Sequence, residues 1–75
     1  MLDAKQIEER LRQRLPSARI RATDLTGGGD HWQLDIKARE FAGLSLIEQH
    51  QLVYQTLGEW MKKEIHALAL NTDEA

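Results

Sequence analysis

Apolar positions along this chain recur first at helical spacing, then in alternation, then at helical spacing again, and finish in alternation. Ile7, Leu11 and Leu15 follow one another every four residues with Ala4 alongside, which is one stripe of an amphipathic helix. Asp3 and Gln6 form a capping-box pair, and Leu2 and Ile7 occupy the hydrophobic-staple positions around it. Pro16 disfavours helical geometry at Leu15. The first helix is therefore expected from about Ala4 to Arg14.

Ala18, Ile20 and Ala22 then alternate with Arg19, Arg21 and Thr23, the period of a strand with one buried face. Trp32, Leu34, Ile36 and Ala38 alternate in the same way with His31, Gln33, Asp35 and Lys37. The stretch Thr26-Gly27-Gly28-Gly29-Asp30 between them tolerates positive φ and predicts a hairpin connection. Arg39 to Leu44 reads as a short link.

Ser45 with Glu48 is a second capping box and opens a longer amphipathic segment, expected to run to about Glu64. Ile47, His50, Val53 or Tyr54, Leu57, and Trp60 or Met61 are expected on its inner face, with Gly58 a mild weakness in its interior. His66, Leu68 and Leu70 alternate with Ala67 and Ala69 as a final strand, and Asn71 to Ala75 is expected to fray.

The order helix, strand, strand, helix, strand predicts an α+β domain covering residues 1–75, a three-stranded mixed sheet with both helices on one face. A strand, helix, strand connection within one sheet favours a right-handed parallel crossover. That topology brings His31 and His66 to the same end of neighbouring strands, where both imidazoles could approach one ion or cluster.

Composition narrows the class. With 75 residues, 41% hydrophobic and 29% charged, the chain is expected to form one small soluble domain with a thin core, and no run reaches the length of a membrane span. The opening Met1-Leu2-Asp3-Ala4-Lys5 lacks an apolar signal stretch, which gives the expectation of a cytoplasmic protein. The absence of cysteine excludes disulfides and any thiolate nucleophile within these residues. A net charge of −2 gives no global attraction to nucleic acid, although Arg10, Arg12, Arg14, Arg19 and Arg21 gather on the first helix and strand. No nucleophile with a paired base, phosphate loop or close carboxylate pair is present, so an enzyme is not expected.

Among candidate site residues, His66 at the start of the last strand and His31 just after the glycine loop have the chemistry to hold a metal. Asp30 offers a harder oxygen donor and a poorer alternative to His31. His50 falls between Ile47 and Val53 and reads as a structural or partner-binding residue. Trp32, Phe41, Tyr54 and Trp60 read as core aromatics, Tyr54 and Trp60 also as partner-binding candidates.

The strings Phe41-Ala42-Gly43, then His50-Gln51-Leu52-Val53-Tyr54, then Ile65-His66-Ala67-Leu68 together resemble the BolA family, whose F-x-G, H-x-x-V-Y and I-H-A-L have nearly these separations. The resemblance implies a fold similar to the class II K-homology fold. It implies that His66 ligates a [2Fe-2S] cluster shared with a monothiol glutaredoxin, with His31 as second ligand in a loop where some relatives carry cysteine. The position of that cysteine corresponds here to Gly28 or Gly29. Thiolates usually hold such iron, and a cysteine-free chain supplies at most the imidazole half. The resemblance names the sulfur source as the glutaredoxin cysteine and glutathione, so the isolated protein is expected to carry no cluster. The second helix and last strand are expected to form the docking surface near His66. Ending soon after Leu70-Asn71-Thr72, the chain lacks the proline- and tryptophan-containing tail of many relatives, which bears on partner affinity and on a weak homodimer. The family's proposed role in DNA-binding regulation gives an alternative, with Arg19 and Arg21 as contacts, but no G-x-x-G backbone clamp is present.

Overall fold

The computed structural model describes residues 1–75 and has the expected order, with two short 3-10 turns added: α1 (Ala4–Arg14), β1 (Arg19–Asp24), β2 (His31–Ala38), a turn at Arg39–Phe41, α2 (Leu46–Leu57), a turn at Gly58–Met61, and β3 (Ala67–Glu74). The sheet order is β1-β2-β3, with β1 antiparallel and β3 parallel to β2. Helix α1 begins as its sequence dictates: the Asp3 carboxylate accepts from the Gln6 N–H at 2.8 Å, and the Gln6 side chain accepts from the Asp3 N–H at 2.9 Å.

One cluster of 13 buried apolar residues holds the layers together. Ile7 and Leu11 from α1 and Leu15 at its C-cap join Trp32, Leu34, Ile36 and Ala38 from β2, with Val53 and Leu57 from α2. Ile20 and Ala22 of β1 and Leu68 and Leu70 of β3 flank this centre from the same sheet face. Phe41 is fully buried in the turn after β2. The opposite sheet face, carrying Arg19, Arg21, Gln33, Asp35, Ala69 and Asn71, is left uncovered by either helix.

Three expectations are corrected. Helix α2 stops at Leu57, because Gly58 caps it with a φ of 56°, a conformation that glycine adopts without strain; it terminates the helix rather than weakening its interior. The inner face of α2 is also rotated from the expected one. Val53 and Leu57 are buried and Gln49, Leu52 and Thr56 half-buried, the i, i+3, i+4, i+7, i+8 pattern, whereas Ile47 is 70% exposed and Tyr54 40% exposed. Tyr54 is therefore not a core aromatic. Finally, Asn71 to Glu74 do not fray. They pair with Asp35 to Ala38 in parallel register, the Asn71 amide donates to the Asp35 carboxylate at 2.9 Å, and the Ala75 N–H reaches the Ala38 carbonyl at 3.2 Å.

Candidate metal centre at the loop end of the sheet

The glycine loop between β1 and β2 is built around Asp24. Its carboxylate accepts from the backbone N–H of Thr26, Gly27 and Gly29 at 3.3, 2.9 and 3.0 Å, while Gly27 and Gly29 take φ of 81° and 76°. The loop is then pinned to the far strand. The Asp30 carbonyl accepts from His66 N–H at 2.8 Å and Ala67 N–H at 3.3 Å, and the His31 carbonyl accepts from Leu25 N–H at 2.8 Å.

This pinning brings the two imidazoles together. His31 pairs in register with Ala67, the residue after His66, and the two ring centroids lie 6.3 Å apart at 70°. Both rings open to solvent, the His66 side chain at 65% and the His31 side chain at 43% of full exposure. Neither is sealed into the core.

Asp30 completes the group. Its Oδ2 lies 3.3 Å from His66 Nδ1 and 4.0 Å from His31 Nε2, and one donor atom from each of the three residues falls within 4.8 Å of the others. The sequence suggested Asp30 as a substitute for His31; in the structure it is a neighbour of both histidines. What placed it there, the loop fold around Asp24 and the carbonyl bonded to β3, has no signature in local spacing.

The other candidates lie elsewhere. His50 sits half-buried on α2, edge-on to Tyr54 with centroids 6.4 Å apart, and does not join the Asp30 group. Trp60 is half-buried beneath the Arg10 guanidinium, 4.3 Å from its ring centre, and so links the turn after α2 to α1. The arginines do not form one basic region. Arg10 and Arg12 are on α1, engaged with Trp60 and Glu8, whereas Arg19 and Arg21 project from the uncovered sheet face. There, with Lys37, they line a groove that also contains Asp35 and Asp73.

The fold is an α+β domain with a three-stranded mixed sheet, and it carries an exposed histidine pair at the loop end of its parallel strand pair. The sequence profile of BolA-like proteins matches residues 7–74, and the chain belongs to the BolA family. An uncharacterized protein of Rickettsia prowazekii is 41% identical over 71 residues, covering 95% of this chain and 92% of its own. The NMR structure of that protein, described as BolA-like, superposes with a TM-score of 0.75 over 99% of this chain and 96% of its own, at 39% identity. BolA1 from Arabidopsis thaliana shares the fold at a TM-score of 0.87 and 24% identity over 99% of this chain and 94% of its own. The Escherichia coli relative, named a DNA-binding transcriptional regulator, is 28% identical over 79 residues, 96% of this chain and 75% of its own. Of these relatives, the Escherichia coli protein alone carries a functional name, that of a regulator. No helix is long and apolar enough to cross a membrane.

Proposed function

We propose that this chain is a cytoplasmic adaptor that pairs with a monothiol glutaredoxin and contributes His66 and His31 to a bridging [2Fe-2S] cluster, in iron-sulfur trafficking or iron and redox regulation. The observation that carries the reading is the exposed pair of imidazoles, with centroids 6.3 Å apart, on a chain without cysteine. Neutral imidazole replaces thiolate on one iron in known two-histidine centres, so the donor set fits half of a site whose sulfur comes from the partner's cysteine and glutathione. When bound, such a mixed-ligand cluster supplies an iron-sulfur unit of higher potential and readier exchange than an all-thiolate one.

The chain's own part is to present two nitrogens without closing around them. Pinning of Asp30 to β3 fixes the backbones of both histidines, while their open side chains leave room for a second protein. The parallel crossover returns the C-terminal half of α2 toward the His66 end, so exposed Tyr54 and the start of β3 are the surfaces offered to that partner. In the absence of glutaredoxin the chain holds no cluster and forms at most a weak homodimer. Mixing it with cluster-loaded glutaredoxin and glutathione should change the visible circular dichroism, His66→Ala should abolish the change, and His31→Ala should reduce it. A His66→Ala spectrum that matches wild type overturns the ligand assignment.

DNA-binding regulation is the second reading, favoured by the name of the Escherichia coli relative and by Arg19, Arg21 and Lys37 on the open sheet face. Asp35 and Asp73 in the same groove offset much of that positive charge. The reading requires a DNA affinity that falls steeply with salt and a slope that Arg19→Ala and Arg21→Ala reduce by about one each.

A further inference from the structure

We infer that the isolated chain chelates a single borderline divalent transition-metal cation, of the Zn²⁺ or Co²⁺ kind, through the Asp30 carboxylate and the imidazoles of His31 and His66. The inference shares two side chains with the cluster reading but does not rest on it, since it needs neither a partner protein nor sulfur.

Geometry is the first support. A tetrahedral ion with bonds of about 2.0–2.1 Å holds neighbouring donor atoms about 3.4 Å apart. The His66 Nδ1 to Asp30 Oδ2 distance of 3.3 Å already matches one edge of such a site. The 4.0 Å from His31 Nε2 to the same oxygen, and the 4.8 Å limit on the whole group, leave the remaining edges about 1 Å open. All three side chains are partly or largely in water, so rotation about their own χ angles closes the site without disturbing the core. The backbones cannot drift apart meanwhile, because Asp30 carbonyl bonds to His66 and Ala67 tie the loop to β3.

Donor chemistry selects the ion. Two imidazoles and one carboxylate suit zinc, cobalt, nickel and copper, whereas calcium takes six or more oxygens and magnesium keeps oxygen and water ligands. Three protein donors leave at least one position of the ion open to water. On the cluster reading, which also takes His66, cation and cluster would compete for the same imidazole.

The test is titration of the metal-free chain alone with Co²⁺, followed by visible d–d absorption and calorimetry. One ion per chain is expected. Asp30→Ala, His31→Ala and His66→Ala should each weaken binding by about 10- to 100-fold or more, and His50→Gln should bind as wild type. Far-ultraviolet circular dichroism of each variant confirms folding. Absence of saturable binding overturns the inference, as does an Asp30→Ala protein that binds as tightly as wild type or a His50→Gln protein that does not bind. None of these results bears on cluster transfer from glutaredoxin, which is read separately in the presence of the partner.

Discussion

The indole N–H of Trp32 donates to the carbonyl of Gly29 at 3.0 Å inside the molecule, which ties the second-last residue of the loop to the centre of the core. Gly29 has no room for a side chain: a Cβ there would sit 2.8 Å from the Leu2 carbonyl and collide with Met1, and its φ is 76°. Gly28, one residue earlier, has no positive φ, and the atoms nearest a Cβ on it belong to the Asp30 and Thr26 side chains, the first at 3.2 Å. Gly29→Ala should therefore destabilise the fold by about 2 kcal/mol or more, from left-handed backbone strain and overpacking together. Gly28→Ala should cost about 1 kcal/mol or less, by small adjustment of two polar side chains. Urea unfolding midpoints separate the two, and equal losses would contradict the loop geometry.

The same asymmetry decides which glycine stands where a loop cysteine fits. Gly28→Cys directs its side chain toward the Asp30 carboxylate, beside the histidine pair, whereas Gly29→Cys would push against Met1 and Leu2. Gly28→Cys should remain folded and, with Co²⁺ bound, gain a thiolate-to-metal charge-transfer band in the near ultraviolet that wild type lacks. A Co²⁺-loaded Gly28→Cys protein without that band would show that this position faces away from the site.

Much of the fold was legible because its signals are local. The Asp3–Gln6 box, the Ile7, Leu11, Leu15 stripe and Pro16 lie within one short stretch, and α1 has the predicted bounds. The face of α2 was misread because two of its inward positions are polar. Gln49 donates to the Leu44 carbonyl at 3.1 Å, although its own Oε1 finds no partner, and the Thr56 hydroxyl donates to the Leu52 carbonyl at 2.7 Å, bonds that hydropathy does not reveal. Trp60 and Met61 extended the helical pattern past Gly58, and only its φ shows that the helix has ended. The polar run Asn71-Thr72-Asp73-Glu74 looked frayed because it borders solvent on an edge strand, while its partner strand lies some 36 positions earlier in the sequence, as in the Asn71 to Asp35 bond. At the site, crossover topology was enough to place His31 and His66 at one end. The place of Asp30 depended on loop hydrogen bonds that no pattern encodes.

Glu40 and Ser17 fasten the turn after β2 to the chain entering β1. The Ser17 hydroxyl donates to Glu40 Oε1, the Ser17 N–H donates to Oε2 at 3.3 Å, and the Arg39 N–H donates to Ser17 Oγ at 3.2 Å. The Ser17 hydroxyl bond, helped by backbone donors and the Arg39 charge, holds the Glu40 carboxyl below its ordinary value of 4.5. A carboxylate depressed in the folded state contributes stability that is complete above the unfolded value and is lost as pH falls through the folded one. The contribution should therefore be whole above pH 4.5, decline below it and be gone once pH has fallen past the lowered folded value, and Ser17→Ala should return Glu40 upward toward 4.5. Carboxyl-carbon NMR titration of Glu40 in both proteins reads the shift directly, and identical curves would refute the linkage. Glu48, lowered first by the Ser45 backbone N–H and then by the Ser45 hydroxyl, provides an independent comparison that Ser17→Ala should leave unchanged.

The orientation of α2 has a direct consequence for stability. Leu57 is fully buried among Ile7, Leu11 and the sheet residues of the core cluster, whereas Ile47 is 70% exposed near the start of the same helix. Removing most of a buried side chain costs lost transfer energy plus the cavity left behind, so Leu57→Ala should destabilise by about 2–5 kcal/mol. For a domain whose whole stability is about 0.05–0.15 kcal/mol per residue, that is a large fraction and can leave the variant largely unfolded at room temperature. Ile47→Ser removes surface that water already reaches and should change stability by no more than about 0.5 kcal/mol. Val53→Ala, fully buried one helical turn before Leu57, should follow Leu57→Ala in direction with a smaller loss, because fewer methyl groups are removed. Denaturant midpoints for the three variants fix the rotation of the helix: an Ile47→Ser loss as large as that of Leu57→Ala would mean that α2 turns its Ile47 side inward in solution.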